Sequence, residues 1–268
     1  MTAMKTVSSF VAGLPQLDVV TLSEDWALAT ALENHWRLLA DSMGLRPSEW
    51  LDRQGDRMYG AVIQLSTSFD LTNVMREDDA FDAETTFLSI RKPHALSSTK
   101  FVVDGVAKAE VRLLTSFIKR QVAGSNKKFS KVRDIWTADD FAGELVDDLL
   151  DQHHAMKSEP DRGEDAMVYE ANRIQDFNTA DFMYFKNYVR IAKAAEWRAA
   201  RAAVAAGEPT HLNETRDCFF YGNVDDGQNV TSKVFTDGET YQTSHHSDDG
   251  RRIFLTRGVR KPVEIAVR

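Results

Sequence analysis

The sequence predicts an α+β protein of two tandem units, each a long helix wrapped by an antiparallel sheet. Two observations carry the prediction. A helical apolar stripe beginning near Ser23 gives way to alternating, strand-like segments up to Arg120. The same order, helix then strands, recurs beyond Asp165, so the chain repeats its architecture although the halves share little sequence. A length of 268 residues suits two compact repeats of about 130 residues each. The expected boundaries are 1–136 for the first unit, 137–165 for a connecting helix and linker, and 166–268 for the second unit.

Local chemistry accounts for the elements. Ser23 is placed to cap the first helix, with Glu24 and Asp25 in the first turn, where the helix dipole favours negative charge. Ala29, Leu32, Trp36, Leu39 and Met43 recur at three- and four-residue intervals, and Gly44 stops the run. In the strand region, Ala107, Ala109, Val111 and Leu113 alternate with Lys108, Glu110, Arg112 and Leu114, the period of a strand with one wet face. Asp104-Gly105 signals a hairpin or bulge, and Lys92-Pro93-His94 a second break. Thr137 to Lys157 reads as an acidic helix, with Phe141, Leu145 and Leu149 at four-residue spacing. Ser158–Asp165, polar and containing Pro160 and Gly163, is the linker. A strand over Met167–Ile174 follows, then a helix over Ala180–Ala206 ended by Gly207 and Pro209. Strands over Asp217–Tyr221, Asn229–Phe235, Glu239–His245 and Arg251–Arg260 complete the unit, with turn signals between them at Asp225-Asp226-Gly227, Asp237-Gly238 and Asp248-Asp249-Gly250.

Composition excludes several classes. A hydrophobic fraction of 43% with 28% charged residues can bury a core. The net charge of −8 argues against a general nucleic-acid binder, because phosphate binding needs a basic face. No apolar run approaches the ~18 residues of a membrane helix, and Met1 to Leu14 lacks a signal-peptide pattern, so no membrane partner is expected. The single cysteine, Cys218, excludes an internal disulfide and a multi-thiolate metal site, and fits a reducing, cytoplasmic setting. His153-His154 and His245-His246 are adjacent pairs without metal-ligand spacing, so no metal site is expected.

The segment Asp176-Phe177-Asn178-Thr179-Ala180-Asp181-Phe182-Met183-Tyr184-Phe185-Lys186-Asn187-Tyr188 resembles the signature of acyl-CoA thioesterases of the hot-dog fold, where Asp-x-Asp-x-x-Gly precedes the central helix. Glu33-Asn34-His35-Trp36 sits comparably on the first helix. More narrowly, Leu22-Ser23-Glu24-Asp25-Trp26, Gly124-Ser125-Asn126, Tyr184-Phe185-Lys186-Asn187-Tyr188 and Arg216-Asp217-Cys218-Phe219-Phe220-Tyr221-Gly222-Asn223 resemble the double hot-dog acyltransferase/decarboxylase family of polyketide biosynthesis, the LnmK-like proteins. That resemblance implies a double hot-dog fold and a reaction in which a methylmalonyl group is taken from coenzyme A and loses carbon dioxide. The resulting acyl group passes to an acyl carrier protein through a tyrosine placed just after the first helix. It also implies acyl-CoA and an acyl carrier protein as partners and no cofactor beyond the coenzyme A thioester substrate, with homodimerisation left open. The alternatives are a hot-dog acyl-CoA/ACP thioesterase or dehydratase-like enzyme, and a non-catalytic acyl-binding or scaffold protein of a biosynthetic pathway.

Tyr59, in Arg57-Met58-Tyr59-Gly60-Ala61, matches that tyrosine by position. A phenol with its ordinary pKa of ~10 is a poor nucleophile and needs a donor or cation beside it. Arg57, two residues back on the same strand face, is one source. Gly60 leaves room for a thioester against the backbone. The competing reading is a core tyrosine with its hydroxyl satisfied. When the thioesterase pattern is anchored on Asn187-Tyr188, its catalytic aspartate position falls on Asn178. An amide cannot serve as a base but can donate to a thioester carbonyl. Asp176 is then either a catalytic carboxylate or a turn residue, and Asp181 stands where the thioesterases carry glycine. Ser125, Asn126, Lys127 and Lys128, after Gly124, form either a cradle for coenzyme A or carrier-protein phosphates or a solvated basic turn. Asn34 and His35 either line a substrate pocket or are interior residues.

Overall fold

The computed structural model describes residues 4–122, 125–132 and 145–264. The chain divides into two compact units, one of residues 1–121 with 129–152 and one of residues 122–128 with 153–268.

The first unit contains β1 (Lys5–Val11), α1 (Glu24–Met43), β2 (Tyr59–Phe69), β3 (Ala80–Arg91), β4 (His94–Val103), β5 (Val106–Arg120) and the short β6 (Phe129–Lys131). Its strands are antiparallel in the order β1-β3-β4-β5-β2, with β6 added to β5. Helix α2 (Leu145–Ser158) carries the chain from one unit into the other. The second unit contains β7 (Glu164–Glu170), the single turn α3 (Arg173–Asp176), α4 (Phe185–Ala205), β8 (Thr210–Phe220), β9 (Asn229–Asp237), β10 (Thr240–Ser247) and β11 (Arg252–Val263). Its strand order is β8-β11-β10-β9-β7, again antiparallel.

The expected repeat is therefore one of topology. In each unit the strand before the long helix lies at one end of the strand order, the strand after it lies at the other, and a three-strand meander fills the middle. In each unit the long helix packs on the sheet: α1 against β1, β3, β4 and β5, and α4 against β7, β9 and β10.

Helix α1 starts and stops where its caps place it. Ser23 Oγ accepts from Trp26 N at 3.5 Å, and Gly44 closes the helix at φ +64°. Its buried face differs from the expected stripe. Ala27, Leu28, Ala31, Leu32, His35, Leu38 and Leu39 are buried, whereas Ala29, Trp36 and Met43 are only partly covered. The sheet takes the face next to the one that the larger side chains mark. Trp36 and Met43 instead flank a cluster that includes Leu39, Trp50, Met58, Phe87 and Phe117.

Strand β1 was not expected; it is short, and its outward residues Lys5, Val7, Ser9 and Val11 are exposed. The alternation expected in β5 holds at Ala109, Val111 and Leu113 but reverses at its start, where Ala107 is exposed and Lys108 buried. A bulge is the cause, since Phe101 pairs with Ala109 while Val102 pairs with Ala107. Asp104 and Gly105, at φ +48° and +77°, form the two-residue turn between β4 and β5. The strand expected over Met167–Ile174 ends at Glu170, because Asn172 caps the α3 turn by accepting from Ile174 N and Gln175 N. Phe141 of the expected acidic helix lies outside the described residues.

Candidate functional site

Strand β2 opens at Tyr59, and its register with β5 sets Tyr59 opposite Ile118. Side chains two residues apart on a strand share a face, so Arg57 and, from β5, Arg120 both reach the tyrosine ring. Their guanidinium carbons stand 5.6 and 5.3 Å from the ring centroid, inside the ~6 Å range of cation–π attraction. Arg57 Nη1 is buried with no hydrogen-bond partner among the described residues.

The loop before β2 fixes Arg57. Asp52 Oδ1 accepts from the backbone N–H groups of Gln54 and Asp56, each at 2.9 Å, and Gly55 supplies the turn's φ of +84°. Lys119 Nζ then donates to Asp52 Oδ2 at 2.6 Å, Asp56 Oδ2 at 2.8 Å and Gln54 Oε1 at 3.1 Å. Lys119 holds the Asp52 carboxyl below its ordinary range, and the two carboxylates in turn raise the ammonium. Sequence reasoning missed Lys119 and Arg120. Their signal is the β2–β5 pairing, which places residues 118–120 beside residues 57–59.

Gly60 does not offer the open space expected of it. The Trp36 indole lies across it, with Cζ3 2.6 Å from where a Cβ would stand. Trp36 meets Trp50 at 5.9 Å between ring centroids, and Trp50 meets Phe117 at 5.1 Å. Asn34 and His35 are interior residues. His35 Nδ1 is 2.7 Å from Ser97 Oγ, and Nε2 is 2.9 Å from Thr115 Oγ1. Burial pushes its pKa down to about 3, so the ring is neutral. Asn34 Nδ2 donates to Thr85 Oγ1 at 3.1 Å.

In the second unit, Asp176 has a fully buried carboxylate. Oδ2 accepts from Tyr169 Oη and Asn172 N, each at 2.8 Å, and Oδ1 accepts from Arg190 Nη2 at 2.7 Å. Three donors on one buried carboxylate make an anchor for the turn before α4. Asn178 is exposed, and its Oδ1 accepts from Ala180 N at 3.0 Å and Phe182 N at 3.2 Å. That closure leaves its amide nitrogen as the donor side of the group. Asp181 takes φ +58°, so the left-handed backbone that glycine adopts most readily is kept with aspartate.

Asn126 joins this loop. It is buried, its N–H donates to Asp225 Oδ1 at 2.8 Å, and its Nδ2 donates to Asp181 O at 2.7 Å and Val224 O at 3.2 Å. Asn187 Nδ2 donates to Asp176 O at 3.0 Å, and Asn223 Oδ1 accepts from Met183 N at 3.2 Å. Asn187 and Asn223 lie within the motifs that carry the resemblance, and only the folded contacts give them this role. Lys127 and Lys128 are exposed, and Ser125 Oγ accepts from Lys127 N at 3.3 Å. Gly124 lies outside the described residues. Thus Arg57 and Tyr59 come together in the first unit, and in the second Asp176 and Asn178 lie before α4 while Asn126, from the separate 122–128 segment, ties onto Asp181 of that loop. Among the described residues, no group of three or more His, Cys, Asp or Glu side chains could hold a metal ion, and no helix is long and apolar enough to cross a membrane.

No family profile and no curated protein matches the sequence. Solved structures do match the fold. An acyl-ACP thioesterase from Bacteroides thetaiotaomicron superposes with a TM-score of 0.65 at 10% identity, covering 96% of this chain and 98% of that one. A protein from Lactobacillus plantarum assigned as an oleoyl thioesterase gives 0.69 at 12% identity, covering 98% of both chains. The 12:0-ACP thioesterase from Umbellularia californica gives 0.65 at 9% identity, covering 98% of this chain and 99% of that one. At such identities the likeness is one of fold. With the repeated strand order and a long helix on each sheet, it establishes that this chain has the double hot-dog fold.

Proposed function

We propose that the chain binds acyl thioesters, of coenzyme A or of an acyl carrier protein, and acts at the thioester carbonyl. The full-length likeness to acyl-ACP thioesterases supports the substrate class. The chemistry that the local geometry supports best is acyl transfer through Tyr59, and the observation that carries it is the pair of guanidinium groups over the Tyr59 ring. Two cations so close offset the negative charge that a tyrosyl oxygen carries as it attacks. The Tyr59 oxygen adds to the thioester carbon, the C–S bond breaks, and the thiolate leaves with the phenolic proton. A malonyl-type acyl group then loses carbon dioxide, and the resulting enolate takes up a proton. The thiol of a carrier protein attacks the tyrosyl ester, forming a new thioester and returning the proton to Tyr59. No group beyond the thioester is invoked.

The fold likeness favours a second reading, thioester hydrolysis at the loop before α4. There Asn178 Nδ2 would hold the carbonyl oxygen. Asp176 is engaged by three donors and would not act as the base.

Intact-mass spectrometry with methylmalonyl-CoA and with a long-chain acyl-CoA, alongside a free-thiol assay, separates the readings. A covalent acyl adduct that is lost in Tyr59→Phe supports transfer. Thiol release without an adduct, unchanged in Tyr59→Phe, supports hydrolysis and overturns transfer. Tight binding with neither outcome identifies a non-catalytic acyl-binding protein.

A further inference from the structure

Helix α4 carries five basic residues and one acidic residue, in a chain whose net charge is −8. The basic residues are not scattered. Lys186, Arg190, Lys193, Trp197 and Arg201 follow one another at spacings of four, three, four and four. At ~100° per residue these five fall within about 80° of arc and run about 22 Å along the axis. They form one stripe with a cation or the tryptophan on every turn.

Trp197 and Arg201 are the exposed part of the stripe, and Lys186, Arg190 and Lys193 are partly covered. Val189, Ile191, Ala192 and Ala195 occupy the buried face. Trp197 is 54% exposed, and Arg201 is exposed. Glu196, the helix's one carboxylate, is turned off the stripe. Its oxygens accept from Arg216 Nη1 at 2.8 Å and Nη2 at 3.0 Å, and from Asn213 and Thr243. Arg190 shares the stripe with its structural task on Asp176 and remains 43% exposed. Glu164 and Asp165 lie across a groove that Arg198 and Arg201 border, and Asp165 faces Lys233 at 3.9 Å.

We infer that this face of α4 is the docking surface for the acidic helix of an acyl carrier protein. The inference rests on the acyl-thioester reading for the identity of its partner. A straight row of cations about four turns long, on an otherwise acidic protein, is complementary to a helix bearing carboxylates at the same spacing. An exposed tryptophan in the middle of the row supplies the apolar anchor that such rims of charge surround. The sequence pointed instead to Lys127 and Lys128 for carrier contact, two adjacent lysines on an exposed turn rather than a row along a helix.

Binding of a bacterial fatty-acid carrier protein in its holo form, measured by calorimetry, tests the surface without requiring turnover. The double charge reversal Lys193→Glu/Arg201→Glu is expected to weaken binding by about tenfold or more, as is Trp197→Ala. Wild-type binding should also weaken from about 50 to about 300 mM salt. A carrier protein with two helix carboxylates changed to lysine should regain affinity for the doubly reversed chain, which excludes misfolding as the cause. Unchanged carrier binding in both variants overturns the inference. So does a wild-type chain that binds duplex RNA or vesicles of anionic phosphatidylglycerol but no carrier protein. Turnover of acyl-CoA is read separately. Acyl-CoA turnover without carrier binding defeats the docking surface alone, whereas stripe-dependent carrier binding without turnover of any acyl thioester defeats the catalytic reading alone.

Discussion

Arg190 Nη2 lies 2.7 Å from Asp176 Oδ1, so the second turn of α4 is tied to the residue that ends the turn before it. The carboxylate has no exposed surface, and Tyr169 Oη and Asn172 N complete its set of donors. Removing a buried carboxylate of this kind strands its donors.

Asp176→Ala is accordingly expected to lower stability by about 3 kcal/mol, read as a shift of the urea midpoint at constant slope. Asp176→Asn retains part of the hydrogen bonding and should cost less. If Asp176 were instead a base with no structural task, both variants would lose activity while keeping the wild-type midpoint.

Trp36 covering Gly60 makes a second test. Gly60→Ala places a methyl group where the indole already stands, so the tryptophan or the strand must move. The expected cost is about 1–3 kcal/mol, with a shift in tryptophan emission. An alanine variant as stable as the wild type, with unchanged emission, would contradict this packing.

Acid should destabilise the chain through its buried histidines. His35 and His245 are pushed by burial from 6.5 to about 3, in the case of His245 against the opposing pull of Glu196. The unfolded chain takes up these protons near 6.5, whereas the folded chain resists them until about 3. The histidines' contribution to stability is therefore constant above about 6.5 and falls as the pH drops below it. Each histidine contributes about 1.4 kcal/mol per pH unit. Glu196, held low beside Arg216 although burial opposes this, adds its own loss only as the pH falls through the ordinary carboxylate range. Urea unfolding at pH 7, 6 and 5 isolates the histidines. A His35→Gln chain should show a clearly shallower slope than the wild type, with His245 and His246, the latter also lowered by burial, supplying the remainder, and a flat wild-type profile would refute the assignment.

Lys119 clamps the Asp52–Asp56 loop through three contacts, and on the acyl-transfer reading this clamp positions Arg57 and Tyr59. In Lys119→Met the loop loses its clamp, and the rate of acyl-adduct formation at Tyr59 is expected to fall about tenfold while the fold persists. Lys119→Arg should restore part of that rate. Equal rates in all three proteins would show that the clamp does not position the tyrosine.

How much of this was legible beforehand depends on the range of the interactions. Ser23 and Gly44 mark the ends of α1, and Asp104-Gly105 forms the turn it announces, because caps and turns are settled between neighbours three or four residues apart. The repeated order of helix and strands was readable for the same reason, since each element declares its own period. Such short-range signals mark the local elements, their duplication and the residues about Tyr59 and Asp176 that invite chemistry. Long-range packing settles which face of α1 is buried, that Trp36 fills the space above Gly60, and that Lys119 and Arg120 stand beside residues more than sixty positions earlier. It also decided that Asp176 anchors a turn. Such choices depend on strand register and on which side chain first fills a shared volume, and neither is encoded in any one stretch of the chain.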